Sequence, residues 1–112
     1  MTKRTTYQDA KPIEQLPGVT RRTLAYNDHV MLCHFELKKG AVIPLHSHAP
    51  SQIGYVAKGR ARFLGENDAD SYERCAGEAY VMDPNVIHGA EALEDTVFIE
   101  CFNPMRPEYA DF

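Results

Sequence analysis

The sequence lacks any pair of cysteines at a metal-binding or disulfide-forming spacing. Cys33, Cys75 and Cys101 stand far apart, without a Cys-x-x-Cys pair, so neither a thiolate zinc site nor a disulfide framework is expected, only reduced structural thiols. Positive charge is not in excess either. Twelve basic against sixteen acidic side chains give a net charge of -4, so no general cationic surface draws in nucleic acid or anionic lipid. An anionic ligand must be held by locally placed arginines. No apolar run approaches the length of roughly 20 residues that crosses a bilayer. The start Met1-Thr2-Lys3-Arg4 turns polar instead of entering the apolar stretch of a signal peptide, so no membrane partner and a cytoplasmic location are expected. A sustained 3.6-residue apolar period, internal repeats and low-complexity linkers are also missing.

What is present is ordinary globular composition, with 44% hydrophobic and 25% charged residues in a chain of 112. That length fits a single compact unit spanning 1–112. Short alternating runs separated by Gly, Pro, Asn and Asp predict an all-β fold, with strands near 23–27, 30–37, 42–48, 52–57, 60–65, 71–75, 79–82, 88–93 and 96–102. Many short strands at this spacing imply a sandwich or barrel. Residues 1–18, which contain Pro12 and Pro17, read as an N-terminal arm packed on the edge. Residues 103–112, with Pro104 and Pro107, read as a tail that cannot continue a central strand.

His46 and His48 lie two apart in an expected strand. Both side chains then leave the same face, with roughly 6 to 7 Å between their Cα atoms, and can converge on one metal ion. Such an ion needs one or two further donors, and Gln52, just past Ala49-Pro50-Ser51, and His88, just past Asp83-Pro84-Asn85, are plausible suppliers. Taken alone, a His-x-His pair in a β protein is equally two surface or core histidines. His29, in a turn, and His34, in an alternating strand, read as structural.

Along the last strand, Phe98, Glu100 and Phe102 share one face. A carboxylate inside an apolar strand is costly to desolvate unless paired, and burial raises its pKa, which is one way a proton-transfer group is tuned. Glu100 is therefore a candidate general acid or base, or else an acid paired structurally with an arginine. Arg106 follows the turn Asn103-Pro104-Met105 and can return to the barrel mouth, where a guanidinium suits bidentate recognition of a carboxylate. Arg21, Arg22 and Arg60 are weaker candidates, expected to be solvated.

The spacing Gly40, five residues, His46-x-His48, three residues, Gln52, six residues, Gly59 resembles the first motif of the cupin family, with glutamine in place of glutamate. Gly77 and His88 fit its second motif, with Asp83, Pro84 and Asn85 where the family has proline, any residue and glycine. The resemblance implies a cupin barrel, that is, a double-stranded β-helix or jelly roll. It also implies one divalent transition metal ion (nickel, zinc, iron, manganese or copper) on His46, His48, Gln52 and His88. A neutral amide leaves that site one negative charge short of a three-histidine, one-glutamate site. Such a site favours polarising an oxygen-rich substrate over activating dioxygen.

A narrower resemblance runs through residues 18–26, the histidine segment, residues 85–90 and Phe102-Asn103-Pro104-Met105-Arg106, which look like the KdgF-type pectin-degradation cupins. It implies an enzyme that opens the ring of 4,5-unsaturated uronate monosaccharides to linear 4-deoxy-5-keto uronates, acting on a small-molecule substrate as a homodimer. The family's aspartate, phenylalanine and arginine fall on Glu100, Phe102 and Arg106, glutamate departing from aspartate by one methylene. A cupin dioxygenase, or a non-catalytic metal-dependent module that binds a sugar or small acid, are the alternatives that the same barrel admits.

Overall fold

The computed structural model describes residues 2–110. Met1, Asp111 and Phe112, at the ends of the expected arm and tail, lie outside the described residues. Ten strands, labelled β1 to β10, are Ile13–Leu16, Val19–Tyr26, Met31–Leu37, Val42–His46, Ser51–Lys58, Arg60–Leu64, Tyr72–Cys75, Ala79–Met82, His88–Ala92 and Thr96–Asn103. Short 3₁₀ turns occupy Asp68–Asp70 and Pro107–Tyr109, and among the described residues no helix is long and apolar enough to cross a membrane. The strands form a six-stranded sheet, β1-β2-β3-β10-β5-β8, and a four-stranded sheet, β4-β9-β6-β7, with antiparallel neighbours.

Alternation explains which face β3 and β10 bury. On β3, Met31, Cys33, Phe35 and Leu37 point inward and are buried, while Leu32, His34 and Glu36 are half-buried on the outside. On β10, in the middle of the large sheet, Thr96, Phe98, Glu100 and Phe102 all point inward. The interior divides along its length. Toward one end the rings of Phe63, Phe98 and Tyr80 pack together, Phe63 lying 5.3 Å from Phe98 and 4.3 Å from Tyr80. Phe63 belongs to the small sheet and the other two to the large one, so this aromatic cluster ties the sheets together. Toward the other end the interior turns polar, with Gln52, His88 and Glu100 buried.

Three boundaries differ from the sequence reading. Residues 13–16 of the expected arm form β1, paired with β2; Pro12 and Pro17 bracket this short edge strand instead of excluding it, because a proline outside the ladder forfeits no hydrogen bond. β2 starts at Val19, not near Thr23, and its inward positions are Val19, Arg21 and Thr23. Polar residues at two inward positions hide the alternation. Arg21, expected in solvent, is only 2% exposed. Its guanidinium donates to Thr23 Oγ1 and to the Tyr109 carbonyl, and lies 4.4 Å from the Tyr109 ring centroid. Third, β4 ends at His46, leaving His48 in a loop. Arg60 is solvated as expected, beside Glu73 and Glu94. Of the cysteines, all free, Cys33 alone is buried; Cys75 and Cys101 are exposed.

Phe98→Ala removes the ring that joins both sheets and is expected to cost about 3–5 kcal/mol of stability, measured by urea unfolding. A loss under about 1 kcal/mol, within the range of surface substitutions, would mean the ring is not part of a close-packed interior.

Candidate metal centre

His46 and His88 are cross-strand partners on β4 and β9. His48 reaches the same point from the loop, which is anchored where the Asn85 amide donates to the His48 carbonyl at 2.8 Å. The three imidazoles therefore meet as expected, but His48 arrives through a loop and not by the two-residue repeat of a strand. Ring centroids are 4.4 Å apart for His46 and His88, 4.9 Å for His48 and His88, and 5.7 Å for His46 and His48. One ring nitrogen from each lies within 4.8 Å of the others.

Each ring is held the same way. Nδ1 of His46, His48 and His88 lies 2.8 Å from the carbonyl oxygen of Pro44, Pro50 and Val86 respectively. A carbonyl only accepts, so each Nδ1 carries the hydrogen, and in a neutral ring so held Nε2 presents the lone pair. Backbone carbonyls fixing the tautomer in this way are typical of metal-binding histidines. Burial and the neighbouring positive groups push His88 down to about 4 and lower His48 as well, so both rings are neutral near pH 7.

Whether these residues suit a cation can be judged from two contacts. His88 Nε2 is buried without a hydrogen-bond partner. His48 Nε2 lies 2.9 Å from Gln52 Oε1, and with the hydrogen on Nδ1 both atoms are acceptors. Turning the amide over would face its oxygen to the Glu100 carboxylate, because Gln52 Nε2 now donates to Glu100 Oε2 at 2.5 Å. Two lone pairs held this close repel unless a positive charge lies between them. Their separation is that of adjacent donors on an ion with bonds of about 2.1 Å. The donor set of imidazoles and an amide oxygen accordingly fits one divalent transition ion and leaves its identity open.

Glu100 sits directly beyond Gln52 and is 6% exposed. Oε2 accepts from Gln52 and from the Tyr80 hydroxyl, each at 2.5 Å. Burial pushes the carboxyl up to about 6, against those two hydrogen bonds and the Arg106 charge, which pull it down. The acid is thus held by neutral donors and not by a structural arginine partner. Phe102 is covered, its ring standing edge-on to His48 and Tyr109 and 5.2 Å from the Arg106 guanidinium carbon. Arg106 is mostly buried, 4.2 Å above the Tyr109 ring and 3.4 Å from Glu108.

His46, Gln52, His88, Glu100, Phe102 and Arg106 line one cavity of about 50 Å³, enough for one or two waters. Ile43, His46, Arg106 and Tyr109 also border an open groove of about 270 Å³ that includes Gln15 and Leu16 of β1. Tyr80 and Tyr109 are the residues that sequence reasoning missed, and nothing local marks Tyr109; Arg21, named as a weaker candidate and expected in solvent, is buried instead.

The barrel of two antiparallel sheets with histidines gathered at one end defines a class. Residues 33–100 match the Cupin_2 family, described as a cupin domain, and the chain belongs to the cupin family. Over 104 residues it is 32% identical to pectin degradation protein KdgF of Dickeya dadantii (strain 3937), covering 90% of this chain and 93% of that one. The structure of KdgF from Halomonas sp. superposes with a TM-score of 0.88 at 28% identity, covering 96% of this chain and 98% of that one. An RmlC-like cupin from Shewanella frigidimarina NCIMB 400 shares the fold with a TM-score of 0.89 at 24% identity, covering 98% and 97%.

Elemental analysis of the purified protein is expected to give about one transition ion per chain, and His88→Ala is expected to lose it while keeping the strand signature in circular dichroism. An ion retained at full occupancy by that variant would remove His88 from the site.

Proposed function

We propose that this cupin opens the ring of 4,5-unsaturated uronate monosaccharides, giving linear 4-deoxy-5-keto uronates, with His46, His48, Gln52 and His88 holding a divalent ion and Glu100, Phe102 and Arg106 acting on the sugar. The observation that carries the reading is the pairing of an acceptor-lined centre with a buried carboxyl through one amide: Gln52 presents Oε1 to His48 and Nε2 to Glu100. The similarity to pectin degradation protein KdgF supports the substrate class. The small cavity admits only the end of a sugar, so the ring rests in the groove beside it, with its carboxylate toward Arg106. Phe102 backs Arg106 and His48 and keeps this wall apolar.

The reaction is a net isomerisation. The C1–O5 bond breaks, the proton of the C1 hydroxyl ends on C4, and C5–O5 becomes the ketone. Glu100 suits both proton movements, because burial raises its carboxyl to about 6, near enough to neutrality to accept a proton and return it. A bound divalent ion supplies Lewis acidity to the substrate oxygens that gain charge. Arg106 orients the carboxylate, and Phe102 with Tyr109 excludes water from its flank.

Metal-loaded protein is expected to speed the loss of the conjugated double bond well above the spontaneous rate, followed by ultraviolet absorbance. Glu100→Gln should lower kcat by about a hundredfold or more, and Arg106→Ala should act mainly on KM. Catalysed and spontaneous rates that coincide at every metal tested would sink this assignment.

A homodimer accompanies the reading. The arm lays Tyr7 against Arg22 and His34 on the outside of β2 and β3. It leaves Ile53, Tyr55 and Val81 exposed on the outside of β5 and β8, an apolar sheet face suited to a second copy. Light scattering after gel filtration should give twice the chain mass, and Ile53→Lys should shift it toward the monomer; a wild-type monomer at micromolar concentration would exclude the pairing.

A further inference from the structure

We propose that Tyr80 is a positioning residue for Glu100: it reaches across the gap left by Gly54, fixes Oε2, and leaves Oε1 as the carboxylate oxygen that exchanges a proton with the substrate. The proposal rests on the uronate reading for its chemistry and on the following geometry for the contact.

Glu100 of β10, Gly54 of β5 and Tyr80 of β8 are register partners in one cross-strand row. The carboxylate and the phenol therefore stand two strands apart, with Gly54 between them. A Cβ on Gly54 would lie 2.3 Å from both Cζ and Oη of Tyr80 and 2.6 Å from Cε2. No side chain of any size fits there while the phenol lies across the strand. Glycine inside a strand often marks such a close approach, and here what approaches is the functional end of the tyrosine.

The contact made across the gap is short and shared. The Tyr80 hydroxyl donates to Glu100 Oε2 at 2.5 Å, and Gln52 Nε2 donates to the same oxygen at 2.5 Å. Among the described residues nothing donates to Oε1, and Glu100 lines the cavity while Tyr80 does not. Tyr80 thus acts through Glu100 and does not meet the ligand. Packing prevents the ring from swinging aside: it is 6% exposed, with Phe63 at 4.3 Å and Phe98 at 6.0 Å. Phenylalanine would fill the same apolar space, so the aromatic cluster alone does not require the hydroxyl. Its partner among the described residues is Glu100.

Two donors on one oxygen localise negative charge there and orient the free oxygen toward the cavity. A carboxylate held by Gln52 alone can rotate about its last torsion and exchange its two oxygens. Removing the phenolic oxygen should therefore impair the proton step and leave substrate binding alone.

Tyr80→Phe tests this in zinc-loaded, otherwise intact protein. Expected are a fall in kcat of about ten- to a hundredfold, the usual range for losing a supporting hydrogen bond, with KM within about twofold. Gly54→Ala should lose at least as much, because its methyl group meets the ring carbons Cζ and Cε2 as well as the hydroxyl, and adding Tyr80→Phe to it should cost little further kcat, because the contact with Glu100 is already gone. Independently of turnover, the side-chain carboxyl resonance of Glu100 in carbon-13 glutamate-labelled protein, assigned by its absence in Glu100→Gln, should move in Tyr80→Phe. A resonance that stays in place overturns the contact. One that moves while kcat is retained overturns the positioning role. If the wild type turns over no uronate with any divalent ion tested, the functional reading falls, and the resonance still decides whether Tyr80 holds Glu100.

Discussion

The side-chain amide of Gln52 is the interaction on which the rest of the site depends. Its two ends have opposite polarity, so they cannot be interchanged once their neighbours are set. The oxygen faces a histidine nitrogen that has already given its hydrogen to the other side of its ring, and the nitrogen donates to a buried carboxylate. One residue therefore separates a region of lone pairs, suited to a cation, from a carboxyl that can take up or release a proton. A glutamate at this position would face Glu100 with a second negative charge a few ångströms away, which buried carboxylates avoid by retaining a proton between them. Glutamine permits the carboxyl at 100 to sit this close to the centre.

The scaffold keeps that arrangement rigid with backbone groups. Three carbonyls hold three imidazoles, and none of those carbonyls depends on a mobile side chain. The apolar half of the barrel, where Phe63, Phe98 and Tyr80 pack, anchors the inward face of β10 on which Glu100 and Phe102 stand. At the mouth, the tail is pinned by partly buried hydrogen bonds: the Tyr109 carbonyl accepts from Thr23 at 2.6 Å and from Arg21 at 3.1 Å. Tyr109 then lies between two guanidiniums, those of Arg21 and Arg106. A buried cation on β2 and the arginine that borders the groove thus pack on one aromatic ring.

The legible parts of the sequence were those written in short-range pattern. Alternation in β3 and β10 is plain because apolar and polar residues take turns, and it assigned Phe98, Glu100 and Phe102 to one inward face. Arg21 and Thr23 on β2 break the same rule, so the strand's first half and a buried cation went unread. Pro12 and Pro17 concealed β1 for a related reason: proline excludes a residue from the middle of a ladder but says nothing against a short edge strand between two of them. His48 was assigned to the correct centre on incorrect geometry, since β4 ends two residues before it and its ring is steered by the Pro50 carbonyl.

By itself the sequence determined the all-β class and the lone inward acid, because each follows from spacing within a few residues and from the cost of burying charge, while the histidine set came through the resemblance to the cupin motifs. Only the tertiary structure decided what those groups touch. That Tyr80 crosses Gly54 to reach Glu100, that the Gln52 amide donates to Glu100, and that the Tyr109 carbonyl accepts from Arg21 join residues 20, 48 and 88 apart in the chain. Register is fixed by the summed packing of whole sheets, and no local pattern in the chain encodes it.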